Sequence, residues 1–268
     1  MSGAALVGYS SSSSSSEEES VCATRVAGAR REGASSSPPR AAASRLPMPD
    51  SVLNMFKDQE EVVVDDSSKH GGRVRTFPHE RGNWATHVYV PYDAPEDFLD
   101  LLQLLLLHAR TYITSLTAMT EFHISLSENV VLRHHWINPF VQSLKERLTS
   151  FHRFTCRADQ VKIYTNQAKT RTFIGLEVSS GHSRFLELVS EVDKVMEEYN
   201  LPQFYKDPSF HLSLAWCVGN QSKELEGRCL QELQEIVDGF EDSSHLLCLH
   251  LTEIRCKSGK KVFSFPLQ

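Results

Sequence analysis

At 268 residues, 40% of them hydrophobic and 23% charged, the chain has room for one or two domains with a packed core. A net charge of −6 excludes a generally basic nucleic-acid binder, so any polyanion has to be met by a local patch. Six cysteines without a C-x-x-C pair read as reduced thiols rather than a disulfide framework or a zinc site, and no apolar run approaches the length of a membrane span.

Residues 1–70 are low in complexity. Ser10 to Ser16 is an unbroken serine run, Glu17 to Glu19 follow, and small residues, prolines and scattered arginines continue to about residue 50. Such a stretch buries too little apolar area to offset its ordering entropy, so it is expected to be a disordered tail. It lacks the basic start and apolar segment of a secretory signal. Arg30-Arg31 reads as a solvated charge pair.

Residues 71–268 carry the periodic signals of a folded domain. Thr86 to Tyr92 alternates and is β-branched or aromatic, which predicts a strand. Phe98, Leu101, Leu102, Leu105 and Ala109 recur at helical spacing. The strand "FHISL" follows, and then a helix that begins near Asn138-Pro139 with Phe140, Val141, Leu144 and Leu148 on one face. Three strand-like segments, "FHRFTCR", "QVKIYTN" and "RTFIGLEV", occupy the middle. A helix with Phe185, Leu188, Val189, Val192, Val195 and Met196 in phase leads to a second such strand, "FHLSL". Leu225, Cys229, Leu233, Ile236, Val237 and Phe240 predict one more helix, and two strands around "KSGKK" form a closing hairpin.

Each copy of "FHxSL" thus follows a strand–helix unit and precedes another helix. The fold expected is α+β: two similar lobes with antiparallel sheets lining a central cleft and helices outside. Gly-rich phosphate loops are missing. Alternation puts Phe122, Ile124 and Leu126 on one face and His123, Ser125 and Ser127 on the other; in the second copy Phe210, Leu212 and Leu214 oppose His211 and Ser213. If a rough two-fold relates the lobes, two imidazoles flank one small group, each with a hydroxyl beside it. One neutral and one charged imidazole can take and give a proton near neutrality. Serine hydroxyls can donate to phosphate oxygens as charge develops.

A lone His-x-Ser strand usually means nothing, and "LHLTEI", with His250 and Thr252, is a decoy that lacks the flanking Phe and Leu. His134-His135, His152, His182 and His245 are not spaced as metal ligands. A basic segment, with Arg153, Arg157, Lys162, Lys169 and Arg171 against the single acid Asp159, is the candidate RNA-backbone patch.

The paired H-x-S motifs resemble the two-histidine (LigT-like) phosphoesterase superfamily. Within it, "FHISLS", "VKIYTNQAKTRTFIGLEV" and "FYKDPSFHLSLAW" resemble the family of U6 small nuclear RNA phosphodiesterases. The resemblance implies a nuclear, metal-independent 3′-to-5′ exoribonuclease without a cofactor. It would act as a monomer, trim the 3′ end of U6 snRNA and leave a terminal cyclic phosphate. It maps catalysis onto His123 with Ser125 and His211 with Ser213. It places substrate contacts at Gln167, Tyr205, Ser209 and Phe210, and at Ile124 and Leu212, between each histidine and its serine. Other two-histidine chemistry (a 2′–5′ phosphodiesterase, a cyclic-phosphate hydrolase or a ligase), a non-catalytic RNA-binding module and a metal-dependent nuclease remain open alternatives.

Overall fold

Alternating and β-branched segments become eleven strands among the residues the computed structural model describes, which are 5–7, 71–72, 77, 80–240 and 246–268. In chain order they are β1 (Ala5–Val7), β2 (Asn83–Tyr92), β3 (Thr117–Ala118), β4 (Phe122–Ser125), β5 (Val130–Arg133), β6 (Phe154–Asn166), β7 (Arg171–Ser180), β8 (His211–Val218), β9 (Cys248–Leu251), β10 (Glu253–Ser258) and β11 (Lys261–Pro266). The helices are α1 (Glu96–Ala109), α2 (Ile137–Leu148), α3 (His182–Glu198), α4 (Ser222–Leu225) and α5 (Arg228–Asp238). The serine run, Arg30-Arg31 and His245 lie outside the described residues. So does most of the expected tail, in which Ala5–Val7 is a short strand parallel to the end of β6.

Two sheets result, antiparallel apart from β1. In the first, β6, β7, β8 and β3 lie side by side, with β9 and β1 on the outer edge of β6. In the second, β11, β10 and β2 lie in that order, and β2 pairs with β4 along one half and with β5 along the other. The sheets join where the chain leaves β3, paired to β8, and enters β4, paired to β2. The Met119 N–H still donates to the Leu214 carbonyl of β8 at 2.8 Å, so the segment changes sheets while running beside β8.

The apolar stripes read in the sequence meet as expected. Phe98, Leu101, Leu102, Leu105 and Ala109 are the buried face of α1. All six residues predicted for α3 are buried, as are Phe140, Leu144 and Leu148 of α2. A side chain of this size contributes ~1.5–3 kcal/mol when fully buried. The alternation of β4 and β8 sends Ile124, Leu126, Leu212 and Leu214 into the core, each no more than 1% exposed. His123, Ser125, His211 and Ser213 face the other way.

Two expected boundaries differ. "FHRFTCR" and "QVKIYTN" are one strand, β6, because the intervening Ala158-Asp159-Gln160 is absorbed by register shifts against β7. The helix expected from Leu225 to Phe240 is broken at Gly227, whose φ of 76° belongs to the glycine-favouring left-handed region. Leu225 therefore packs from α4, while Cys229, Leu233 and Val237 pack from α5. His250 is exposed on β9, as expected for an ordinary half-exposed strand.

Candidate active site

The polar faces of β4 and β8 open onto one cavity of about 350 Å³ at the seam between the sheets. His123, Ser125, His211 and Ser213 all line it. The same local device positions each histidine. β4 pairs antiparallel with β2, the strand before α1, and Pro91 stands opposite His123. β8 pairs antiparallel with β7, the strand before α3, and Glu177 stands opposite His211.

The His211 ring is held from three sides. Its Nδ1 lies 2.7 Å from the Ser209 carbonyl, which can only accept, so Nδ1 carries the proton and Nε2 is the nitrogen offered to the cavity. The ring lies flat on Tyr164, with centroids 3.8 Å apart and an interplanar angle of 15°. Gly175 makes room for this stack. A Cβ there would fall 2.9 Å from the Leu212 carbonyl oxygen, 3.1 Å from Tyr164 Cε2 and 3.2 Å from His211 Cδ2. Gly175→Ala is expected to cost ~1–3 kcal/mol of stability, the usual range for overpacking, and to lower turnover by pushing the His211 ring out of place. Thermal unfolding and activity measured on one preparation check this.

On the opposite wall, His123 meets Tyr89 edge-on at 5.2 Å and lies 5.8 Å from the His87 ring, which itself stacks on Tyr89 at 4.8 Å. Burial depresses the basicity of all three imidazoles. It brings His211 down to about 4 against the opposing hydrogen bond that its Nδ1 donates to the Ser209 carbonyl, and brings His87 to about 4 with help from His123 and Lys257. His123 is lowered for the same first reason, with Glu121 pulling the other way. Burial thus biases each ring toward its neutral form, and an anion placed between them favours protonating one. Ser127, on the same face as Ser125, has its hydroxyl committed: it accepts from the Val88 N–H at 2.8 Å and donates to the Glu128 carbonyl at 2.9 Å. The Ser125 and Ser213 hydroxyls make no such bonds among the described residues.

The other expected contact residues divide. Tyr205 and Ser209 line the cavity from the loop between α3 and β8. Phe210 borders it too, but its ring is 1% exposed and stacks on Phe185 at 4.9 Å, so it is chiefly an anchor for β8. Ile124 and Leu212 do not reach the wall, because strand alternation turns them into the core. Gln167 is exposed in the turn between β6 and β7 and does not line the cavity. The basic segment is not one cationic face: Arg157 pairs with Asp159, Lys162 pairs with Glu177, and Arg153 donates to the Leu267 carbonyl. Arg171 alone of the five lines the cavity, its guanidinium 5.4 Å over the Phe173 ring.

His87, Asn129, Phe173, Phe204 and Asp207 line the cavity without having been singled out by the sequence. His87 was legible as the polar partner of Val88 and Val90 in an alternating strand. Nothing local said that this strand would lie beside β4. His134 and His135 form a short 3-10 turn away from the cavity, and the His182 ring binds the Pro208 carbonyl at 3.1 Å. Among the described residues no group of three or more His, Cys, Asp or Glu is placed to hold a metal ion.

Two His-x-Ser strands thus face one cavity across the seam of the two sheets. Residues 46–266 match the HVSL family model, described as an uncharacterised conserved protein. The chain is 71% identical over 224 residues to human U6 snRNA phosphodiesterase 1, with 84% of each chain covered, and 69% identical over 224 residues to the Bos taurus protein of the same name, also with 84% of each covered. Kluyveromyces marxianus Usb1 superposes with a TM-score of 0.49 at 16% identity, covering 68% of this chain and 98% of that one. The chain belongs to the U6 snRNA phosphodiesterase 1 family.

Proposed function

We propose that this chain is an RNA phosphodiesterase that trims the 3′ end of U6 snRNA, in the 3′-to-5′ direction and without a metal ion, by attack of a ribose 2′-hydroxyl. The observation that carries the reading is the convergence of His123, Ser125, His211 and Ser213 on one cavity, in a chain 71% identical to a U6 snRNA phosphodiesterase.

In this mechanism the 2′-hydroxyl of the penultimate nucleotide attacks the last phosphodiester. His123 takes its proton. His211 gives a proton from Nε2 to the departing 5′-oxygen. The new 3′ end is a 2′,3′-cyclic phosphate, and the terminal residue leaves with a free 5′-hydroxyl. Burial brings the His211 ring down to about 4, but the Ser209 carbonyl on Nδ1 and the Glu177 carboxylate act against it and favour an imidazolium, which supports the acid role there. The entering phosphodiester adds its negative charge. Ser125 and Ser213 are placed to donate to the non-bridging oxygens. Tyr205, at the cavity rim, offers a face on which a terminal base can stack, worth ~1–3 kcal/mol. On this reading the protein works as a monomer in the nucleus, and its partner is the RNA end itself.

The test is incubation with an oligouridylate in excess chelator, followed by identification of the new 3′ end. A cyclic phosphate, formed stepwise from the 3′ terminus, is the expected product. A linear phosphate formed in one step, cleavage confined to 2′–5′ linkages, or activity lost on chelation would overturn the reading.

A further inference from the structure

Glu177 is the described acid that sits directly across from a histidine of the pair, and the mechanism above gives it only a background part. It stands opposite His211 in the β7–β8 register, so the two side chains are neighbours on the cavity face. One carboxylate oxygen accepts the Ser209 hydroxyl. That uses the hydroxyl's hydrogen, so Tyr164 must be the donor in the 2.9 Å bond between its own hydroxyl and Ser209 Oγ. The Ser209 carbonyl in turn holds His211 Nδ1 at 2.7 Å, and the Tyr164 ring is the plate on which His211 lies. The second carboxylate oxygen of Glu177 meets Lys162 Nζ at 2.5 Å. Ser209 is thus clamped at both of its polar ends, with its hydroxyl hydrogen unavailable to a substrate.

We propose that Glu177, acting through Ser209 and Tyr164, is a positioning residue that fixes the orientation of His211 and favours its charged form, with Lys162 as the counterweight. The proposal rests on the two-histidine reading above. Among the described residues Lys162 and Tyr164 from β6, Glu177 from β7 and His123 from β4 bear on His211 directly, while His87 from β2, Arg171 from β7, and Tyr205 and Asp207 from the loop before β8 line the same cavity. Of these, Glu177 raises the affinity of the His211 ring for a proton, while Lys162 and His123 lower it. The hydroxyl of Ser209 belongs to this scaffold, so the substrate contact that the resemblance implies at Ser209 falls to its other atoms.

The experiment compares pH–rate profiles of kcat for the wild type, Glu177→Gln and Lys162→Met, together with histidine NMR titrations of the ligand-free proteins. In Glu177→Gln the limb that belongs to His211 moves to lower pH by about one unit, since a carboxylate within reach of an imidazolium is worth about that much or more. In Lys162→Met the same limb moves to higher pH. The His123 limb stays in both. General loosening of the site would not move one limb in opposite directions. Movement in the same direction, no movement, or an effect of Glu177→Gln on KM alone would overturn the proposal. Should Glu177→Gln fail to fold, Ser209→Ala, which keeps the carbonyl and removes the link, is expected to shift the limb in the same direction by less. A wild type without turnover would count against the two-histidine reading, while the NMR titration of His211 would still decide the role of Glu177.

Discussion

Alanine in place of His123 or of His211 will lower the rate of 3′-end cleavage by about 10²–10⁴-fold, the usual contribution of a positioned general acid or base. Each ring faces the cavity from a strand whose opposite face is core, so the loss should be in kcat. Neither substitution touches Ile124, Leu126, Leu212 or Leu214, which hold the two strands in place. Cooperative unfolding should therefore persist, at some cost for His211→Ala, which strips the Ser209 carbonyl of its partner. The double variant should be little worse than the poorer single one, because the two groups serve one transition state and their effects are not additive. The measurement is single-turnover cleavage of a 3′-labelled oligouridylate, with binding followed in parallel. If the pair only gripped phosphate, the wild type would bind without turning over, and the alanine variants would differ from it in affinity alone.

Replacing the 2′-hydroxyl of the penultimate nucleotide with hydrogen will abolish cleavage of the last bond. The attacking group in the proposed mechanism belongs to the substrate and is already tethered beside the phosphorus. Tethering of this kind is worth effective molarities of about 10⁵–10⁸ M. With the hydroxyl gone the tether is lost, and a water molecule brought from solution would have to be positioned anew. The same deletion on the terminal nucleotide should leave the reaction intact, which separates loss of the nucleophile from a general dislike of deoxyribose. Efficient cutting of the penultimate 2′-deoxy substrate would mean direct hydrolysis, and the two histidines would then need other roles.

Much of the fold could be read locally because helix and strand periodicities report burial one element at a time. The faces of α1, α2 and α3 packed inward at the positions where spacing placed them. The errors fall where a local signal was overruled by a partner. Ala158-Asp159-Gln160 looked like a break, yet it is carried through β6 by irregular pairing with β7 and by the Gln234 side chain, which binds both the Asp159 carbonyl and the Val161 N–H. The basic run from Arg153 to Arg171 looked like one patch because Glu177, which pairs with Lys162, lies beyond its end and meets it only across the β6–β7 pairing. His87 and Phe173 escaped notice because each is an unremarkable strand residue until the neighbouring strand is known.

The chain's own order of residues determined that His123 and Ser125, and His211 and Ser213, must share a face of their strands. Side chains alternate along an extended backbone, and the intervening Ile124 and Leu212 have to be buried. It also determined that two such faces exist and that metal ligation has no spacing to support it. Only the tertiary structure decided that the faces meet, because the crossing from β3 to β4 depends on β3 pairing with β8, about a hundred residues further along the chain, and on β4 pairing with β2 in the other sheet. It decided, too, that Ser209 serves His211 through its carbonyl and Glu177 through its hydroxyl, since hydrogen bonds of this kind are set by where separate strands come to rest.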